Sequence, residues 1–282
     1  MFARADQLRI EEIEESFRLH AIEFYWEEFD PKLIYFDLDD GQVKEFDLDD
    51  IDFSISKKRT CVGSYVDGEY VPCPRNSPVQ KLTQCAECAE SLIPIQDCLF
   101  EPKCEGDLCD SPLCRKEHAV YIAFFGNRPK VGMTLKTRIR NRLIEQGADA
   151  YFIADVFPTR KNAREAERLI SEKLRITERP NARLILESLR MPRRRAQIED
   201  AWEWISRALR ENLSMNPGEL EFLDSYPLEE PLPSVPKHVD SWGYHSGKAI
   251  GIKGKFLIYE CDRMMALNLA DLPSRYLSRE RL

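Results

Sequence analysis

The stretch "HAVYIAFFGNRPKVGMTLKTRIRNRLIEQGA", His118 to Ala148, decides how the chain is read. Its apolar opening predicts a buried strand, Gly126-Asn127-Arg128-Pro129 a turn, and the run through Lys130-Val131-Gly132 a partner strand. A helix should follow. Thr134 is the expected N-cap, Gly147 the expected residue after the last turn, and Leu135, Ile139 and Leu143 the buried stripe. That spacing leaves Arg138 and Arg142 on one face near Glu145, and Arg140 on the side of Lys136. Three arginines at alternate positions exceed what solubility needs, so an anion is the expected partner of this helix.

The rest of the chain has the opposite sign. The net charge is −8, yet Arg128–Arg210 carries 20 Lys/Arg against 11 Asp/Glu, a local +9 that leaves −17 elsewhere. A chain this acidic does not coat nucleic acid indiscriminately. A basic block between acidic arms instead implies local phosphate recognition, with the arms free to dock a protein partner. "RMPRRRAQ" (190–197) adds Arg193, Arg194 and Arg195 as a second basic cluster able to contact a nucleic-acid backbone. Trp202 and Trp204 lie two apart on the helix that follows and are expected to pack into the core against different elements.

Upstream of the opening stretch lie eight of the nine cysteines. Cys85 and Cys88 form a CxxC, and Cys61 and Cys73 sit among turn-formers in "CVGSYVDGEYVPCPRN". Two thiolates two residues apart can face one tetrahedral ion from a tight turn, and the four together read as a structural zinc site. Cys104, Cys109, Cys114 and His118, spaced C-x4-C-x4-C-x3-H, give a second closed shell. Cys98 can replace any one of these, and an iron–sulfur cluster uses the same ligand types. Two zinc ions are the expectation, each ordering a loop too poor in apolar residues to fold alone.

Five segments follow from these shifts. Residues 1–58 read as a short helix at 8–17 and an acidic β-hairpin turning at Asp40-Gly41. Residues 59–118 are the cysteine-rich module and 119–215 the central α/β domain. Residues 216–245 are a Pro- and acid-rich linker, and 246–282 are Gly-punctuated strands expected to complete a small β unit with the N-terminal hairpin. The carboxylates flanking Gly41 alternate with Phe36, Leu38, Phe46 and Leu48, which fits the polar face of a half-buried sheet rather than a metal site. The class is α+β. The first residues contain no apolar run suited to a signal peptide or a membrane span, so a cytoplasmic protein without membrane contact is expected.

The central segment resembles the GIY-YIG nuclease superfamily, which pairs a strand bearing a tyrosine with a second strand reading Tyr-Ile/Val-Gly, then an Arg-bearing helix and a helix with a metal-binding Glu. On that resemblance Tyr121 is the first tyrosine, Gly132 the glycine of the second strand, Arg140 the catalytic arginine, and Glu167 in "EAERLI" the carboxylate that would hold Mg²⁺ or Mn²⁺. Lys130 stands where the second tyrosine belongs, and Met133 follows Gly132 where Lys is frequent. Over most of its length the chain also resembles a prokaryotic family, domain of unknown function 2797, in its paired cysteine clusters, "KVGMT" and the late "GIKGKFLIY".

These resemblances imply a metal-dependent phosphodiesterase for structured nucleic acid, a non-catalytic DNA- or RNA-binding zinc protein, or an interaction scaffold. Phosphodiester hydrolysis needs a base for water, a cation for the developing charge and a carboxylate-held metal. Tyr121 beside Lys130, then Arg140 and Glu167, are the residues placed to supply them. Glu167 also lies on the edge of the apolar stripe Ala163, Ala166, Ile170 and Leu174, where a carboxylate needs a metal or an arginine partner.

Overall fold

A computed structural model describes residues 16–89, 98, 101–108, 111–178, 182–191 and 195–281. The helix expected at 8–17 falls almost entirely outside these, as do Cys109, Arg193 and Arg194. The described chain is α+β and divides into two compact units, one formed by 1–90 with 236–282 and the other by 91–235.

The first unit is built on a nine-stranded sheet drawn from both ends of the sequence. Its N-terminal strands are β1 (Leu19–Glu27), β2 (Asp30–Asp37), β3 (Val43–Glu45) and β4 (Asp50–Arg59), and a separate hairpin follows as β5 (Ser64–Val66) and β6 (Glu69–Val71). Its C-terminal strands are numbered after the four of the second unit, which are β7 (His118–Phe125), β8 (Arg128–Leu135), β9 (Ala150–Phe157) and β10 (Glu221–Phe222). They are β11 (Lys237–His238), β12 (Gly243–Lys253), β13 (Phe256–Glu260), β14 (Met264–Asn268) and β15 (Arg275–Ser278). The order is β11-β14-β13-β12-β4-β15-β1-β2-β3, so β4 lies between two strands from the far end of the chain.

The acidic hairpin follows from its turn chemistry. Gly41 takes φ +70°, and its N–H donates to the Asp37 carbonyl at 2.9 Å. The carboxylate oxygens of Asp37 and Asp40 accept backbone N–H groups two residues on, and both grip Lys44. These aspartates shape a turn. Inward-facing Leu33, Phe46, Phe53 and Ile55 fill the core beneath.

The second unit carries the four-stranded sheet β10-β9-β7-β8, antiparallel throughout, with a parallel bridge from Lys130 to Thr177 along its β8 edge. Its helices are α1 (Ile139–Gln146), α2 (Arg160–Leu174), α3 (Ala182–Ser188) and α4 (Arg195–Leu213). Alternation along β7 sends Val120, Ile122 and Phe124 to one face, where Ala163, Ala166 and Ile170 of α2 and Ile198, Ile205 and Leu209 of α4 close the core. Tyr121 and Ala123 point to the other.

Helix α1 begins later than its sequence suggests. Thr134 does not cap it, because β8 stays paired to β7 through Leu135, opposite His118. The C-terminal end is as expected: Gly147 takes φ +77° and its N–H returns to the Ile144 carbonyl at 2.9 Å. Stretch 216–245 is not a free linker. Leu223, Leu228 and Leu232 are buried, and the Tyr226 hydroxyl donates to the Ala148 carbonyl beyond α1 at 3.0 Å. Trp202 is half-buried against the core, whereas Trp204 is 57% exposed, correcting the expectation that both pack inside. Among the described residues no helix is long and apolar enough to cross a membrane.

Candidate functional site

The first cysteine set assembles. Cys61, Cys73, Cys85 and Cys88 bring their sulfurs within 4.8 Å of one another, although 24 positions separate Cys61 from Cys85. A tetrahedral zinc with Zn–S bonds of about 2.3 Å places its sulfurs about 3.8 Å apart, and Cys73 and Cys85 stand 4.0 Å apart. That spacing is far too long for a disulfide.

Backbone donors supply the outer layer. Gly63 N–H reaches the Cys61 sulfur at 3.4 Å and Cys85 N–H reaches the same atom at 3.2 Å. Gly63 can do so because it takes φ +78°, and a Cβ there would lie 2.2 Å from the Val71 carbonyl oxygen. The Cys88 N–H draws the Cys85 thiol down to about 7, whereas burial and the neighbouring thiols push Cys88 up to about 12. Burial also raises the Cys61 thiol. Four crowded sulfurs that cannot all ionise alone suit a cation between them, and this group can hold a metal ion such as zinc.

The second set is not gathered in the same way. Cys109 is outside the described residues, and among those described Cys104, Cys114 and His118 do not converge into a metal-binding group. Cys98, Cys104 and Cys114 are nonetheless buried free thiols. Gly106 N–H meets the Cys104 sulfur at 3.3 Å, repeating the Cys61–Gly63 arrangement. Arg160 joins two of these loops, its guanidinium donating to the Cys98 carbonyl at 2.6 Å and its N–H to the Cys114 carbonyl at 3.0 Å. His118 is buried, burial lowers its pKa, and its Nδ1 lies 2.9 Å from the Lys116 carbonyl.

On the strand face opposite the core, Tyr121 and Lys130 meet. Lys130 Nζ donates to the Tyr121 hydroxyl at 3.2 Å and to Gln146 Oε1 at 2.8 Å, and Gln146 Nε2 donates to the same hydroxyl at 3.1 Å. Tyr121 is 1% exposed and Lys130 7%. Gly132 faces this cluster across the β7–β8 pair, and a Cβ on it would stand 2.5 Å from the Tyr121 hydroxyl. A tyrosine here therefore requires a glycine there. Sequence reasoning passed over Gln146, whose only signal is its place immediately before the helix-ending Gly147.

Arg140 and Glu167 are held by other partners, with Glu167 near enough for the Lys130 charge to act on it. Arg140 faces Glu221 at 3.8 Å and bonds Tyr151, whose hydroxyl donates to Glu221 at 2.8 Å. Glu167 is buried and held by Arg164 at 2.7 Å. Arg164 also binds Glu178 at 2.8 Å and Glu101 at 3.1 Å. Burial raises the Glu167 carboxyl pKa, opposed by Arg164 and more weakly by the charge of Lys130. Arg164, three residues before Glu167, could have been found from that spacing. Arg138 and Arg142 both reach Glu145, and Arg195 pairs with Asp224 while stacking 4.5 Å from the Phe222 ring.

The profile of the family described as Protein of unknown function (DUF2797) matches residues 49–274. The chain belongs to that family. The matched span takes in the four-thiol group, the Tyr121 cluster and most of both sheets. No curated protein and no solved structure matches the chain.

Proposed function

We propose that this protein is a zinc-binding, nucleic-acid-interacting protein whose GIY-YIG-like unit recognises phosphate without cleaving it. The observation that carries this reading is the bonding of Tyr121 to Lys130 and Gln146. A phenol that is to take a proton from water needs contact with water. Tyr121 is 1% exposed and its oxygen already meets two donors, one of them the residue standing where the family's second tyrosine belongs. Glu167, which would offer its carboxylate to Mg²⁺ or Mn²⁺, is engaged by Arg164 instead.

Binding asks less of these groups. Arg138, Arg140 and Arg142 have half-exposed side chains. Their exposed ion pairs contribute about 0–1 kcal/mol each, so a phosphate can displace the carboxylates. Arg195, paired with Asp224, adds a further exposed cation to the same unit. One zinc is assigned to Cys61, Cys73, Cys85 and Cys88, where it would order the loops between them. A second zinc at Cys104, Cys109, Cys114 and His118, with Cys98 as an alternate ligand, would require Cys104, Cys114 and His118 to close on a common point that they do not share as described. Free thiols fit a reducing cytoplasm.

Cleavage is the second reading. It is favoured by Glu167, a buried carboxyl with a perturbed pKa close enough to feel Lys130, as is common at catalytic sites. Gel shifts with stem-loop and branched DNA and RNA over a salt series test the first reading. Affinity should fall with salt and drop further in Arg138→Glu/Arg142→Glu, with substrates left intact when Mg²⁺ or Mn²⁺ is added. Cutting that disappears in Glu167→Ala would replace binding by catalysis. Absence of binding at every salt concentration would reject both.

A further inference from the structure

The first unit holds a cavity of about 440 Å³ that neither the thiols nor the basic helix explains. Its walls include Phe17, Arg18, Lys57, Lys58, Asn76 and Tyr276. None of the described residues that line it is acidic. In a chain of net charge −8, three cations around one hollow are a local reversal of sign.

The floor is rigid and neutral. Tyr276 is 8% exposed, and its ring stacks on His20 with centroids 4.5 Å apart. Its hydroxyl bonds the Thr60 hydroxyl at 2.8 Å and donates to Asn76 Oδ1 at 2.9 Å. Thr60 in turn meets His20 Nε2 at 3.2 Å. Asn76 takes φ +45°, in the left-handed region that asparagine tolerates better than most residues, and its N–H donates to the Cys73 carbonyl at 3.1 Å. Ser56 Oγ accepts the Tyr276 N–H at 2.9 Å and donates to the Lys58 carbonyl at 2.8 Å, fixing the strand that carries both lysines.

The wall is positively charged. Lys57 lies 5.0 Å from the centre of the Trp242 ring, and Arg18 reaches Asp39 only as an exposed pair at 3.5 Å. Phe17 offers a flat apolar surface. The volume falls within the range of small-molecule sites.

We propose that this cavity binds a nucleoside monophosphate, its phosphate held by Lys58, Lys57 and Arg18 and its base laid against Phe17. Lysine binds phosphate as a point charge, which suits a wall of flexible cations. The ring supplies what inorganic phosphate lacks. This site belongs to the first unit and does not depend on nucleic-acid recognition by the second.

Calorimetric titration of the full chain with AMP, adenosine and inorganic phosphate at low salt tests it. AMP should bind saturably, with adenosine and phosphate each weaker by about tenfold or more. Lys58→Glu should weaken AMP by about tenfold or more with circular dichroism and metal content unchanged. Arg207→Glu, an exposed charge reversal in the other unit that takes no part in the proposed phosphate surface, should leave AMP binding as it was. The proposal is overturned if AMP binds no tighter than phosphate, if no heat appears at millimolar ligand, or if Arg207→Glu removes binding that Lys58→Glu preserves. Should Lys58→Glu misfold, Lys57→Gln with Arg18→Gln reads the same loss of affinity, and unchanged binding in that pair overturns the proposal too.

Discussion

The four-thiol group and the Tyr121 cluster solve opposite problems. Cys61, Cys73, Cys85 and Cys88 gather potential negative charge on loops. Tyr121, Gln146 and Glu167 stand on strands and helices and are met by cations from the same unit, Lys130 and Arg164. The first arrangement can take its neutralising charge from an ion in solution. The second is already closed, and anything that enters must displace a cation the fold supplies. The lesson is that a cluster of polar groups says little until the origin of its neutralising charge is known.

The sharpest way to break this contrast is to remove the outside ion. Cys88→Ser should lower the metal content by one ion per chain and open residues 61–88 to protease. The loss is most of the roughly 10 kcal/mol or more that structural zinc supplies to small domains. Metal analysis with limited proteolysis checks it, and a resistant loop without metal would make the thiols ordinary packing.

Removing an inside cation should cost less. Arg164→Met leaves the buried Glu167 unpaired and should destabilise by about 3–5 kcal/mol in urea unfolding, with most of it recovered in Arg164→Met/Glu167→Leu. A negligible cost would mean that Glu167 is open to another partner.

A smaller effect comes from acid. Burial holds His20 at about 4, below its ordinary 6.5. Because the folded pKa is the lower one, the associated stability is present above pH 6.5 and is lost as pH falls toward 4, by about 3 kcal/mol at most. His20→Phe should flatten that slope in urea midpoints measured across the range, and an unchanged slope would take His20 out of the account.

The smallest change is expected from Lys130→Met. It strips one donor from the Tyr121 hydroxyl and one partner from Gln146, for about 1–3 kcal/mol. If it also uncovers nuclease activity, Lys130 is what holds Tyr121 inert.

The thiol group was legible because cysteine chemistry and CxxC spacing survive any uncertainty about the fold around them. The pairing of β7 with β8 was legible from one apolar run, a turn and a glycine. The start of α1 was not, because Thr134 has the chemistry of a cap and only the ladder to β7 shows that its backbone is extended. Gln146 carried no spacing signal, and its role depends on Lys130 standing across the sheet face. Alternating apolar residues showed that the chain's ends make strands, but alternation does not name partners. Hence β4 lying between β12 and β15 was out of reach.

That placement has a consequence for synthesis on the ribosome. Residues 91–235 emerge as a continuous unit and can fold while translation continues. Strand β4 must wait, since both neighbours are made only after Gly243. During that interval its two edges present unpaired N–H and C=O groups, the condition under which nascent strands recruit chaperones or one another.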